Sequence, residues 1–273
     1  MRVGFVGAGR MGRPMVAQLV AAGHTVRVLA RTDRAHAELA ALGATPVNSA
    51  IEVARGTEVV LVCVFTDDQV RELCLGGTLL GELPRGALIV LHTTGSPETA
   101  DAVAARARDR GIGVVDGPVS GGPHDIAAGT LTVFLGGTES DVITAKAVVG
   151  AYANPMLHVG ALGAGQRVKL VNNILFAAQI GLVAEAVRLG AQLGLPEPAL
   201  LAALPHASSG GRAISSVAAR GSVDEFRSTV GEFLRKDIAV AHDLAAALGA
   251  DLGLLGPAVR AGLAPIAPEA PTA

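Results

Sequence analysis

Met1-Arg2-Val3-Gly4-Phe5-Val6-Gly7-Ala8-Gly9-Arg10-Met11-Gly12, at the start of the chain, is the stretch on which the fold turns. Val3–Val6 reads as a strand buried on both faces, and the apolar segment from Met11 to Ala22 has helical spacing. Between them Gly7, Gly9 and Gly12 stand at the spacing G-x-G-x-x-G. That spacing is weak by itself in a chain with 35 glycines. Its weight comes from its place, between a buried strand and a helix in a strand–helix–strand unit of about thirty residues. The first glycine makes the tight turn, the second leaves room for a pyrophosphate, and the third lets the helix pack closely on the strand. The helix N-terminus adds N–H donors and a partial positive charge. Gly7, Ala8, Gly9, Arg10, Met11 and Gly12 are therefore candidate dinucleotide-binding residues.

Outward from this unit, Gly23-His24 ends the first helix and Thr25–Ala30 is the next strand. Ala35–Leu42 reads as a short helix, Val59–Phe65 as a fully buried strand and Gln69–Leu75 as a helix. Ala87–His92 is a further strand, and Ser96-Pro97-Glu98 opens a helix running to Arg110. Gly113–Asp116 and Leu131–Leu135 complete the strands. Strands that alternate with helices predict a Rossmann-type α/β domain with a parallel-dominated, doubly wound sheet. Beyond residue 162 the strand-like runs stop. Gly165–Leu193 predicts one long interdomain helix, apolar on nearly every face, with helices to follow at Ala199–Ala203, Ile214–Ala219 and Gly231–Leu248. The expected organisation is a dinucleotide-binding domain over 1–162 and an all-helical substrate and dimerisation domain over 163–263. The tail 264–273, with Pro265, Pro268 and Pro271, is not expected to fold.

Composition excludes several classes. Of 273 residues 50% are hydrophobic and 17% charged, enough for a sizeable core and too apolar for general disorder. A net charge of −2 argues against nucleic acid as a partner. Cys63 and Cys74 cannot build a disulfide scaffold, and the first residues do not read as a signal peptide, so a cytoplasmic location is expected. Val168–Val187 carries Lys169, Asn172, Asn173, Gln179 and Glu185, which favours a soluble helix over a membrane span. The seven histidines show no metal-ligand spacing, so no metal is expected.

The end of the second strand bears on the cofactor. Where an NAD site carries an acid for the ribose 2′-hydroxyl, this chain has Ala30, followed by Arg31 and Thr32. A carboxylate would repel a 2′-phosphate, whereas arginine and a hydroxyl can bind one, so NADP is expected over NAD.

Three more segments complete the pattern: Asp116-Gly117-Pro118-Val119-Ser120-Gly121-Gly122, then Gly163-Ala164-Gly165-Gln166-Arg167-Val168-Lys169-Leu170-Val171-Asn172-Asn173, then Lys236-Asp237. With Gly7–Gly12, in this order, they resemble the β-hydroxyacid dehydrogenase family, which includes 3-hydroxyisobutyrate dehydrogenase and the semialdehyde reductases. The resemblance spans residues 1 to 260. It implies an NADP-dependent oxidoreductase acting on a small 3-hydroxy acid or its semialdehyde, with Lys169 as general acid and base and Asn173 as its partner. Lys169 and Asn173 are four apart and so share one helix face. The resemblance further places the substrate carboxylate on Ser120, Gly121 and Gly122, Thr94 beside the nicotinamide, Phe65 at the edge of the adenosine and ribose, and Lys236 toward the cofactor. Asp237 is then a structural partner. Leu91 and Gly117 depart from the usual acid and alanine at those places. Relatives continue further beyond the Lys-Asp pair, so a closing helix near the end is expected to be missing. Imine reductases, a sister group, stay open as an alternative, although they usually carry another residue in place of Lys169. A non-catalytic NADP-binding module stays open too. The apolar long helix implies a homodimer or a higher homo-oligomer.

Overall fold

The computed structural model describes residues 1–263, so the expectation for 264–273 lies outside the described residues. The strands are β1 (Arg2–Val6), β2 (Thr25–Leu29), β3 (Thr45–Val47), β4 (Val59–Val62), β5 (Leu88–Leu91), β6 (Gly113–Asp116), β7 (Val119–Ser120), β8 (Leu131–Gly136) and β9 (Ala153–Gly160). The helices between them are α1 (Gly12–Ala21), α2 (Asp33–Ala41), α3 (Ala50–Ala54), α4 (Asp67–Arg71), α5 (Leu79–Glu82), α6 (Pro97–Arg108), α7 (Pro123–Ala127) and α8 (Glu139–Val149). Then come α9 (Ala164–Gln192), α10 (Glu197–Ala203), α11 (Arg212–Ala218), α12 (Val223–Ala247) and α13 (Leu255–Leu263). The chain divides into two compact units, Met1–Lys169 and Leu170 onward.

In the first unit the strand order is β3-β2-β1-β4-β5-β6-β8-β7, with β9 beside β8. The first six strands are all parallel. β8 runs antiparallel to β6 and β7. This is the doubly wound sheet that the alternating pattern predicts. β4 and β5 are buried at every position, because both sheet faces are covered. Alternate residues serve two cores: Val3, Phe5, Leu61 and Val90 on one face, and Val60, Val62, Ile89 and Leu91 on the other. Hydroxyl caps start the helices where turn chemistry demands them. Thr32, Ser96 and Thr138 each accept a backbone N–H from the first turn of α2, α6 and α8.

Several elements escape the sequence reading. β9 is largely exposed and so carries no apolar signal. β3 is three residues long with Pro46 in it, tolerable because it is the sheet edge. α8 was hidden because its apolar residues are not sharply confined to one side.

In the second unit α9 buries Leu170, Ile174, Ala177, Ile180 and Val183 against Phe226, Leu234 and Ile238 of α12 and Val259 of α13. α12 starts two turns before the expected Gly231, at Val223, because its first turns are polar and are capped by Ser222. A helix does follow it, contrary to expectation. α13 crosses α9 so closely that a Cβ on Gly181 would lie 2.0 Å from the Ala258 carbonyl oxygen, and one on Gly262 2.1 Å from that of Ala177. Glycine at both places lets the two backbones touch. α9 is long and apolar enough to span a membrane by length and composition, yet much of it lines this core. Glu185 is exposed and pairs with Arg188 on the same helix at 2.8 Å.

Candidate active site

Parallel strands place the loops that follow them at one edge of the sheet, and the strand order reverses between β1 and β4. Gly7–Met11 fill the turn between β1 and α1. Gly7 has φ +103°, and a Cβ there would meet the Cys63 carbonyl oxygen at 2.2 Å. A Cβ on Gly12 would meet the Gly7 oxygen at 2.1 Å. At Gly9 a Cβ would meet nothing within 4 Å. The first and third glycines therefore serve the protein's own packing, while the second faces open space before a helix N-terminus. Those residues fit a dinucleotide pyrophosphate.

Beyond β2, Ala30 is buried and Arg31 and Thr32 are exposed. The Thr32 hydroxyl oxygen accepts from Ala35 N–H at 3.2 Å and so caps the helix, while its O–H can still donate. Glu38 holds both Arg34, at 2.8 Å, and Arg13. Among the described residues Arg31 has no such carboxylate partner.

Phe65 and Thr66 follow β4, and the Gln69 side chain accepts from both of their N–H groups, at 2.9 and 3.1 Å. Phe65 is exposed at 40%. Thr93-Thr94-Gly95 follows β5. Its anchors are the Thr93 hydroxyl on the Val64 carbonyl at 2.9 Å and the Asp67 carboxylate, which accepts from Ser96 N–H at 3.0 Å and the Thr99 hydroxyl at 2.6 Å. Ser120 pairs with Thr132 across β7 and β8, and Gly121 takes φ +133°. The Gly122 N–H donates to Asp125 Oδ2 at 2.7 Å, so that donor is already engaged.

Asp116, fully buried at the end of β6, accepts from Gly163 N–H at 2.7 Å and Gln166 N–H at 2.6 Å. Burial pushes its carboxyl up to about 6, against the pull of those two N–H groups and of Arg167. It thus caps the start of α9 from a strand. Gln166, itself buried, donates to the Thr93 carbonyl at 2.8 Å and accepts from Gly95 N–H at 3.0 Å. Lys169, half-buried, comes three residues later, nearly one turn on from Gln166. Neither Gln166 nor Asp67 is singled out by the sequence reading. The available signal was a polar residue within the apolar opening of α9, just before the lysine.

In the second unit Asn173 Nδ2 donates to Asp237 Oδ2 at 2.6 Å, and Lys236 Nζ lies 2.6 Å from Asp237 Oδ1. Asn172 donates to Asn173 Oδ1 at 3.0 Å. The structure thus gathers the Lys-Asp pair and Asn173 into one network. Burial pushes the thiols of Cys63 and Cys74 up to about 12, so neither is a thiolate nucleophile. Among the described residues no three His, Cys, Asp or Glu side chains come together as metal ligands.

Residues 2–160 match the family described as the NAD binding domain of 6-phosphogluconate dehydrogenase. Residues 163–262 match the NAD-binding domain of NADP-dependent 3-hydroxyisobutyrate dehydrogenase. The chain belongs to the 3-hydroxyisobutyrate dehydrogenase family. A 3-hydroxyisobutyrate dehydrogenase of Pseudomonas aeruginosa is 37% identical over 210 residues, 77% of this chain and 70% of the relative. An NAD-dependent L-serine dehydrogenase from the same species is 36% identical over 211 residues, again 77% and 70%. The solved 3-hydroxyisobutyrate dehydrogenase of Mycobacterium tuberculosis with L-serine has a TM-score of 0.84 at 32% identity, covering 95% of this chain and 92% of that one. This member of the 3-hydroxyisobutyrate dehydrogenase family is accordingly a hydroxyacid dehydrogenase with NAD(P)-binding architecture.

Proposed function

We propose that the chain is an NADP-dependent, cytoplasmic dehydrogenase of a small 3-hydroxy acid, or reductase of its semialdehyde, with Lys169 as general acid and base. The observation that carries this reading is the double fixation of the start of α9. Asp116 caps it and Gln166 ties it to the Thr93–Gly95 loop, so the lysine stands nearly one turn along a helix start that is fixed to the loop that would face the nicotinamide. When bound, the dinucleotide supplies or takes the hydride. Lys169 Nζ gives a proton to the substrate oxygen in reduction and takes it back in oxidation. One Asn173 amide hydrogen goes to Asp237, and we assign the other to that oxygen or to the lysine. With Gly122 engaged by Asp125, the Ser120 hydroxyl and the Gly121 N–H are the donors assigned to the substrate carboxylate. The lack of an acid at Ala30, and an Arg31 with no carboxylate partner among the described residues, support NADP over NAD.

Steady-state kinetics with fluorescence titration tests the assignment. Lys169→Ala should lower turnover by about 10²–10⁴-fold, the usual worth of a positioned acid, with NADPH affinity nearly unchanged. Lys169→Arg should rescue little, because its proton is held too tightly. Full turnover by Lys169→Ala would make the lysine structural. A parallel screen against glyoxylate, tartronate semialdehyde, succinic semialdehyde and cyclic imines separates this reading from an imine reductase and from a non-catalytic module.

A further inference from the structure

His92 and Gly117 are the first residues past two neighbouring parallel strands, β5 and β6. His92 is buried at 2% exposure, and both its ring nitrogens are engaged. Nδ1 lies 2.5 Å from the Gly117 carbonyl oxygen, and Nε2 lies 2.7 Å from the hydroxyl of Tyr152. Tyr152 is the only tyrosine of the chain and is fully buried. Its ring meets that of His92 edge to face, with centroids 5.9 Å apart.

The chemistry of these contacts fixes the tautomer. A carbonyl oxygen only accepts, so Nδ1 must carry the proton. In a neutral ring Nε2 is then an acceptor, and the tyrosine hydroxyl donates to it. Burial pushes the imidazole down to about 4, which keeps the ring neutral near neutral pH. The result is a one-way chain, Tyr152 O–H to His92, and His92 N–H to Gly117. The space around Gly117 is filled: a Cβ there would lie 3.1 Å from Val90 Cγ1, 3.2 Å from Leu135 Cδ2 and 3.5 Å from His92 Nδ1. The Gly117 N–H donates to the Leu91 carbonyl oxygen at 2.8 Å, so both polar backbone groups of this residue are held.

Two loops issue from this point. One is Thr93-Thr94-Gly95, immediately after His92. The other is Gly117 to Gly122, whose Ser120 and Gly121 are assigned to the substrate carboxylate. We infer that His92, oriented by Tyr152, is a positioning residue that sets the substrate-carboxylate loop by holding the Gly117 carbonyl. The kinetic consequence rests on the function proposed above, whereas the mechanical consequence does not. The two are tested separately.

The mechanical arm is amide hydrogen exchange by mass spectrometry. His92→Phe keeps a flat ring and loses the donor, and it should speed exchange over residues 117–122 by about tenfold, as expected for the loss of one buried hydrogen bond. Exchange over residues 7–12 should not change. His92→Asn retains an N–H near the Nδ1 position and should restore most of the protection. The kinetic arm uses 3-hydroxyisobutyrate and L-serine. His92→Phe should raise KM about tenfold with kcat within about threefold, and Tyr152→Phe should raise KM about threefold. If His92→Phe does not fold, Tyr152→Phe, which loses only a hydroxyl, carries both arms. Unchanged exchange over 117–122 in a folded variant, or a loss confined to kcat, overturns the inference. An unmodified chain that turns over no hydroxy acid overturns the proposed function instead, and the exchange arm still decides this one.

Discussion

Gln166 Nε2 donates to the Thr93 carbonyl at 2.8 Å, while the same side chain accepts from Gly95 N–H at 3.0 Å. One amide thus satisfies both polar groups of a tight loop, and it does so nearly one turn before Lys169. Gln166→Leu would leave a buried carbonyl and a buried N–H without partners. It should cost about 2–4 kcal/mol in urea unfolding and lower kcat/KM about tenfold. Gln166→Glu should be no better, because a carboxylate turns an acceptor toward the Thr93 carbonyl. Wild-type stability in the leucine variant would show the clamp to be dispensable.

Cofactor choice should rest on Arg31. Losing one charge-assisted hydrogen bond costs about 1.5–3 kcal/mol, so Arg31→Ala should cut the preference for NADPH over NADH roughly ten- to a hundredfold. Fluorescence titration of both dinucleotides reads this directly. Equal affinities in the unmodified chain would refute the reading of the second strand's end.

Two buried groups should give opposite pH dependences of stability. Asp116 has its carboxyl raised from 3.8 to about 6, so the folded state holds that proton more tightly than the unfolded state. Its contribution is complete below about pH 4 and is lost as pH rises through about 6. His92 has its ring lowered from 6.5 to about 4. Its contribution is complete above about pH 6.5 and is lost as pH falls through about 4. Each amounts to about 3 kcal/mol, by the usual worth of a pKa difference. Urea unfolding between about pH 4.5 and 7 should show the deficit of Asp116→Asn growing as pH falls and that of His92→Phe shrinking. Slopes of the same sign would contradict this.

Assembly should follow the outer face of α9. Val168, Leu175, Leu182 and Leu189 stand seven residues apart, and all four are exposed apolar side chains, in one stripe. We expect this stripe to be buried in a homodimer or larger homo-oligomer. Leu182→Glu with Leu189→Glu removes two side chains worth about 1.5–3 kcal/mol each when buried, so the dimer should dissociate at micromolar concentration. Light scattering that finds the unmodified chain monomeric there would refute the expectation.

The sequence by itself determined the α/β class, the glycine turn and the run of buried strands, because those depend on local periodicity and on backbone freedom at single positions. Val59–Val62 could only be an inner strand, and Gly7 could only be a turn residue. The candidate residues Lys169, Ser120 and Arg31 were legible because each sits within a short contiguous motif. Tertiary structure decided the rest. The edge strands β3 and β9 carry little apolar pattern, since an edge need not be buried on both faces. α13 was settled by the close crossing of Gly181 and Gly262, a pairing of positions far apart in the chain. The partners that hold the site, Asp116 with Gly163, Gln166 with Thr93 and His92 with Tyr152, are 47 to 73 residues apart. No local pattern joins them. One member of each pair, Asp116, Thr93 or His92, stands at or just past the C-terminal end of a parallel strand, where a buried polar group must find a partner or lose its place in the core.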